Sequence, residues 1–228
     1  PSRFSGSILV PFSPESPLSG VERQLQPGEY LWYRRYVSRP ALAGGRRLIL
    51  HFGAVDYDCR VFVNGAESGR HKGGYVSFSL DISALLKEGE NHLVVYARDD
   101  VRGPMQPGGK QSEKYHSYGC FYTRTTGIWQ TVWMEFVPKA HIRSVQYYPN
   151  ISECTLTIKA CVEGEGTFRA AASFEGTDCG SASASTTSGN VLLTLPLSVL
   201  HLWEPGEGRL YDLTLTFGED QVKSYFGM

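Results

Sequence analysis

Thr155-Leu-Thr-Ile-Lys-Ala-Cys-Val162 decides the fold. Leu156, Ile158, Ala160 and Val162 alternate with Thr155, Thr157, Lys159 and Cys161. That period of two puts one face of a strand on a core and the other toward water. The pattern recurs in Tyr75-Val-Ser-Phe-Ser-Leu-Asp-Ile82, where Val76, Phe78, Leu80 and Ile82 form the apolar set. It recurs again in Leu213, Leu215 and Phe217, interleaved with Thr214 and Thr216. Strands of this kind build antiparallel sheets with one wet side. Val61-Phe-Val63 running into Asn64-Gly65 is a tight hairpin signal. Gly44-Gly45, Gly73-Gly74 and Gly108-Gly109 mark further turns or loops.

Helical signal is scant. In Asp81-Ile-Ser-Ala-Leu-Leu-Lys-Glu-Gly89, Asp81 or Ser83 is placed to cap one short turn that Gly89 stops. No longer stretch keeps a 3.6-residue period, so the chain contains no (β/α)8 barrel, which needs eight helices and about 250 residues. The sequence predicts an all-β protein of 228 residues in two domains. Residues 1–138 read as a jelly-roll sandwich with aromatic strands and a long loop from Asp99 to Gly119. Residues 139–220, with about seven short strand signals rich in Thr, Ala and Ser, read as an immunoglobulin-like sandwich. The run Gly180-Ser-Ala-Ser-Ala-Ser-Thr-Thr-Ser-Gly189 reads as a hairpin connection.

Composition excludes several functions. Lys and Arg number 22 against 23 Asp and Glu, a net charge of −1 that argues against a nucleic-acid binder. No apolar run is long enough to span a membrane, and no signal-peptide core is visible near Pro1. Hydrophobic residues are 41%, enough for a real core. The five cysteines are irregularly spaced without Cys-x-x-Cys, which excludes a zinc ribbon. Buried thiols in a reducing, cytoplasmic setting are the expectation, with one or two disulfides in a periplasmic protein the alternative. The six His never pair at i, i+2 or i+4, so neither a metal nor another cofactor is predicted. Gly103–Lys110 fails as a phosphate loop because Pro104 stands where Gly is needed and Gln111 where Ser or Thr is needed. There is no Gly-x-Ser-x-Gly elbow.

Aromatic residues make up 12% of the chain, either core or stacking surface for sugars. In Phe121-Tyr-Thr-Arg-Thr-Thr-Gly-Ile-Trp-Gln-Thr-Val-Trp-Met-Glu135, strict alternation puts Trp129, Thr131, Trp133 and Glu135 on one strand face. That face is either an inter-layer packing surface or a sugar platform. Asp99-Asp100 is an adjacent acidic pair, and as strand residues its side chains would diverge. On a loop they could approach a ligand together.

Ile8-Leu-Val-Pro11 with Glu15-Ser16 and Leu18-Ser-Gly20 is followed by Tyr30-Leu-Trp-Tyr-Arg-Arg-Tyr36. Leu48–Gly53, Val61–Gly65, Gly73-Gly-Tyr75 and Gly127-Ile-Trp-Gln130 come next. Trp203-Glu-Pro205, Leu210-Tyr211 and Val222–Met228 end the series. In this order and spacing the chain resembles the N-terminal part of glycoside hydrolase family 2, the β-galactosidase, β-glucuronidase and β-mannosidase family. The resemblance implies a jelly roll, then an immunoglobulin-like domain, then a catalytic (β/α)8 barrel that this chain lacks, with residues 221–228 as the connector toward it. The family's Asn-Glu dipeptide is absent, so no catalytic residue is expected here. The start also reads as clipped relative to the family.

The resemblance implies a substrate-facing set of Glu15 (with Ser13 as alternative), Asp99, Lys110, Gln111 and Arg124. The position of the family's sugar-reaching Asp, six residues before Gly127-Ile128, is Phe121 here. The predicted function is a non-catalytic fragment of a retaining, β-galactosidase-like β-glycosidase acting on terminal β-glycosides, forming one wall of its active site. Its partners would be the carbohydrate substrate and the barrel in cis, without nucleic acid or membrane, and a homo-oligomer stays compatible with it. The rival readings are a stand-alone carbohydrate-binding or adhesion module and a purely structural interaction protein.

Overall fold

The computed structural model describes residues 4–38, 45–187 and 189–228. Pro1, Gly44 and Ser188, which entered the sequence reading, lie outside them. The described residues divide into two compact units, one of 4–38 and 47–136, the other of 137–228 with 45–46.

The first unit is a jelly-roll β-sandwich. One sheet orders β1 (Leu31–Ser38), β7 (Glu90–Arg98), β4 (Asp58–Val63) and β5 (Ala66–Lys72), with every pair antiparallel. The other orders β6 (Phe78–Asp81), β2 (Arg47–Phe52) and β9 (Val132–Val137). A two-stranded ladder joins β3 (Val55–Asp56) to β8 (Gly127–Ile128). Alternation buries Leu48, Leu50 and Phe52 on β2, Cys59, Val61 and Val63 on β4, and Leu93, Val95 and Ala97 on β7. Each large aliphatic side chain so buried contributes about 1.5–3 kcal/mol.

The β4–β5 hairpin turns at Asn64-Gly65, both with positive φ (52° and 87°), as a two-residue primed turn requires. Asn64 does more than turn. Its Nδ2 donates to Leu85 O and Asn91 Oδ1, both at 2.8 Å, and its Oδ1 accepts from His92 N at 3.0 Å. Asn64→Ala is therefore expected to cost about 2 kcal/mol in urea unfolding, through lost hydrogen bonds and a strained left-handed Ala. An unchanged midpoint would show that these bonds carry no net stability.

The short turn at 81–89 is a 3-10 helix, Ser83–Leu85, with Asp81 Oδ1 accepting from Ser83 N at 2.9 Å. The alternation over 75–82 holds only in part. Val76 is exposed and β6 starts at Phe78, because residues 74–75 form a turn. The chain likewise bends between β8 and β9, so Trp129 and Trp133 do not share a strand face. Trp129 Nε1 donates to Gly74 O at 2.8 Å, whereas Trp133 stacks on His51 at 4.8 Å.

The second unit is an immunoglobulin-like sandwich of seven strands among the described residues. Sheet β10 (His141–Asn150), β11 (Thr155–Glu163), β14 (Asn190–Pro196) faces sheet β13 (Thr177–Thr186), β12 (Gly166–Phe174), β15 (Tyr211–Phe217), β16 (Asp220–Phe226). Leu156, Ile158, Ala160 and Val162 meet Phe168, Leu213, Leu215 and Phe217 in one core. Two segments differ from the sequence reading. Residues 180–186, read as part of a hairpin connection, belong to edge strand β13. Ala182 and Ala184 pack against the core while Ser183 and Ser185 pair outward with β12, so the period of two was present in small residues. Residues 221–226, read as part of a connector, are the edge strand β16, hydrogen-bonded along β15 from Asp220 to Phe226.

Candidate functional site

The site lies at one end of the first unit, where β3, β7 and β8 open into loops. The segment 99–126 between β7 and β8 folds back on itself. Ser112 N donates to Tyr122 O and Tyr122 N to Lys110 O, both at 2.7 Å, and Phe121 N to Tyr118 O at 2.8 Å. The entry segment grips it from outside. Gln24 Nε2 donates to Tyr115 O at 2.5 Å, and Tyr115 Oη to Gln26 Oε1 at 2.8 Å.

Inside that frame sits Asp56, whose residue is 1% exposed. Gln111 bridges from it: its Nε2 donates to Asp56 Oδ2 at 2.7 Å, and its Oε1 accepts from Thr125 N at 2.8 Å. Asp56 Oδ1 is buried without a hydrogen-bond partner. Burial foremost, then the neighbouring Asp99 carboxylate, pushes the Asp56 pKa up to about 7, and the Gln111 bond opposes the rise. Asp99 is pushed up to about 6, again mainly by burial, with Glu15 and Asp100 adding to it and Arg124 opposing. Its Oδ1 accepts from Gln106 Nε2 at 2.6 Å. Glu15 Oε2 accepts from Thr126 N at 3.2 Å.

Arg124 is the cluster's cation. Its guanidinium lies over the Tyr115 ring at 4.8 Å, Nη2 donates to Gln24 Oε1 at 3.3 Å, and Nε is buried without a partner. The arrangement offers two carboxyl groups able to hold protons near neutrality, one arginine and three side-chain amides. Such a set can hydrogen-bond the hydroxyls of a polar, uncharged ligand. Among the described residues no group of three or more His, Cys, Asp or Glu side chains is placed to hold a metal ion.

Of the residues singled out from sequence, the structure brings together Glu15, Asp99, Gln111 and Arg124. Lys110 enters through its carbonyl, and its side chain is exposed. Ser13 is buried, and Phe121 forms an exposed turn with Tyr118, ring centroids 5.1 Å apart. Sequence reasoning missed Asp56, Gln106 and Gln24. Asp56 had a signal: an acid closing the apolar stretch Phe52-Gly-Ala-Val55 two residues before the next alternating strand.

A jelly-roll sandwich is thus followed by an immunoglobulin-like one, with a polar cluster on the loops of the first, a two-sandwich arrangement whose class the family comparisons give. Residues 24–105 match the family model described as "Glycosyl hydrolases family 2, sugar binding domain", and residues 140–228 match that described as "Glycosyl hydrolases family 2". The chain belongs to glycosyl hydrolase family 2 and corresponds to N-terminal domains of its β-galactosidases and β-glucuronidases.

It is 30% identical to a β-galactosidase of Thermoanaerobacter pseudethanolicus over 118 residues, 51% of this chain and 15% of that protein. It is 30% identical to a β-galactosidase of Bacteroides ovatus over 131 residues, 58% of this chain and 14% of that one. Among solved structures, a β-glucuronidase of Faecalibacterium prausnitzii superposes with a TM-score of 0.70 at 26% identity, over 96% of this chain and 40% of that one. A β-D-glucuronidase of Dictyoglomus thermophilum shares the fold, with a TM-score of 0.64 at 21% identity, over 87% of this chain and 36% of that one. The chain thus spans well under half the length of these relatives.

Proposed function

We propose that this chain is a non-catalytic part of a retaining, β-galactosidase-like β-glycosidase, and that the Asp56–Asp99–Arg124 cluster forms one wall of the active site. The wall would hold hydroxyls of a terminal β-glycoside while two carboxyl groups of a catalytic barrel perform the double displacement. The observation that carries the reading is the cluster itself. Buried, hydrogen-bonded polar groups converge on a loop end of a family 2 β-domain, where Asp56 Oδ1 and Arg124 Nε have no protein partner. Asp100 is paired with Arg98 at 3.9 Å, and the remaining acids Glu15, Asp56 and Asp99 against Arg124 alone favour a neutral sugar over a uronate at this wall.

Assayed alone, the chain is expected to leave nitrophenyl β-galactoside, β-glucuronide and β-mannoside intact; turnover by the pure chain would overturn its non-catalytic part. For the wall, the matching region of the Bacteroides ovatus β-galactosidase is replaced by this chain. In that chimera Arg124→Gln and Asp99→Asn are each expected to lower kcat/KM about tenfold, the loss of one good polar contact in the transition state. An unchanged kcat/KM in both variants would remove the cluster from the active site.

A further inference from the structure

The four-stranded sheet of the first unit has an outer face that the loop-end cluster does not use. Opposite the buried set, β1 presents Trp32, Arg34 and Tyr36, β7 presents Glu90, His92, Val94, Tyr96 and Arg98, and β4 presents Asp58, Arg60 and Phe62. Register sets Trp32 beside Tyr96 and Tyr96 beside Arg60. The rings form a connected strip. Trp32 stacks on Phe62 at 6.2 Å and meets Tyr96 edge-on at 5.0 Å, and Tyr30 lies 5.6 Å from Tyr96. Tyr30 and Trp32 remain 48% and 39% exposed, and Tyr36 continues the exposure along the strand. From Tyr30 to Tyr36 the strip runs about 20 Å, at roughly 3.3 Å per strand residue.

The strip is also cationic. Arg60 lies over Tyr96 at 5.8 Å, Arg98 over Tyr30 at 5.9 Å and Arg34 over Tyr36 at 5.0 Å. The nearby carboxylates are already engaged: Asp58 pairs with Lys72 and Glu67 with Arg70. Arg34 and Arg60 therefore have no carboxylate within ion-pair distance among the described residues. The Nε of Arg60 is buried without a hydrogen-bond partner. Arg98 already pairs with Asp100 at 3.9 Å, so the exposed rings beside Arg34 and Arg60 are what form a surface with unmet apolar and anionic contacts.

We propose that this face binds an anionic, uronate-bearing glycan chain. Pyranose C–H faces rest on Trp32, Tyr30 and Tyr96, and sugar carboxylates pair with the guanidinium groups of Arg60 and Arg34. Flat rings accept the apolar faces of sugars, and a guanidinium fork matches a carboxylate with two parallel N–H bonds. A second copy of the chain fits the face poorly, because a two-fold contact sets its unpaired arginines against themselves. Trp32, Arg34 and Arg60 make no contact with Asp56, Asp99 or Arg124, so failure of this site leaves the active-site wall untouched.

The test is affinity electrophoresis of the whole 228-residue chain through gels carrying polygalacturonate, neutral dextran or dextran sulfate. Polygalacturonate is expected to retard the chain and dextran to leave it free. Trp32→Ala and Arg60→Gln are each expected to weaken retention about tenfold, roughly 1.4 kcal/mol, with the urea midpoint held. Arg34→Gln, at a position that only edges the strip, serves if either variant fails to fold. No retention on polygalacturonate overturns the proposal. So does retention that Trp32→Ala leaves unchanged, or equal retention of native and variant chains on dextran sulfate, both marks of unspecific charge attraction. A dimer that Trp32→Ala dissolves, without glycan retention, overturns it in favour of a second copy.

Discussion

Gly74→Ala is expected to destabilise the first unit by about 4 kcal/mol and to release the 99–126 loop, although it adds a single methyl group. The backbone of Gly74 has no positive φ, so the cost is not conformational. It is steric. A Cβ there would stand 2.5 Å from Asp56 Cγ and closer still to Oδ1. Asp56 is 1% exposed and cannot swing into solvent, and its Oδ2 is held by Gln111 at 2.7 Å. Relief requires either moving the 73–75 turn, which breaks the 2.8 Å bond from Trp129 Nε1 to Gly74 O, or expelling Asp56, which unpins Gln111 from Thr125 N. Urea unfolding measures the stability, and limited proteolysis within 99–126 measures the release. The double variant Gly74→Ala with Asp56→Gly is expected to recover most of the stability, because the new methyl then fills the vacated space. If the single variant unfolds at the native midpoint, Asp56 does not lie against Gly74.

The same contact shows why the fold was legible in the sequence and the site less so. A period of two in Leu156–Val162 and Leu213–Phe217 gives strand, face and core together, because alternation is imposed on every residue of a half-buried strand. Where residues are small, as in Ser181–Ser185, the same alternation carries little hydrophobic contrast, and β13 was hidden. Where a turn interrupts a strand, as after Gly73 and after Ile128, alternation extrapolates across a bend it cannot register. Asp99 stood out as half of an acidic pair, whereas Glu15, Gln111 and Arg124 stood out only through family resemblance. Their convergence depends on contacts 100 residues or more apart, such as Arg124 to Gln24 and Thr126 to Glu15. Asp56 was missed because a buried carboxylate in a short strand looks like any turn acid until its neighbours are known.

Asp56→Asn is expected to leave stability nearly unchanged at pH 3, to raise it by about 1.5 kcal/mol at pH 5 and by about 4 kcal/mol at pH 8. The folded protein holds the Asp56 pKa at about 7, against 3.8 for the ordinary carboxyl, so the unfolded chain releases this proton first as pH rises. Below about pH 4 both states are protonated and the group costs nothing. Between 4 and 7 the unfolded state gains, and above 7 the whole penalty is present. At about 1.4 kcal/mol per unit the Asp56 contribution reaches about 4 kcal/mol as an upper figure. Asparagine cannot ionise, and its Oδ1 can still accept from Gln111 Nε2. Its Nδ2 then occupies the place of Asp56 Oδ1, where the native protonated acid has no partner either, so little changes at low pH. Asp99, held at about 6 by burial, leaves a smaller decline with pH in both proteins. Urea midpoints at pH 3, 5 and 8 separate the cases. Parallel pH profiles for native and variant chains would mean that Asp56 ionises no differently folded than unfolded.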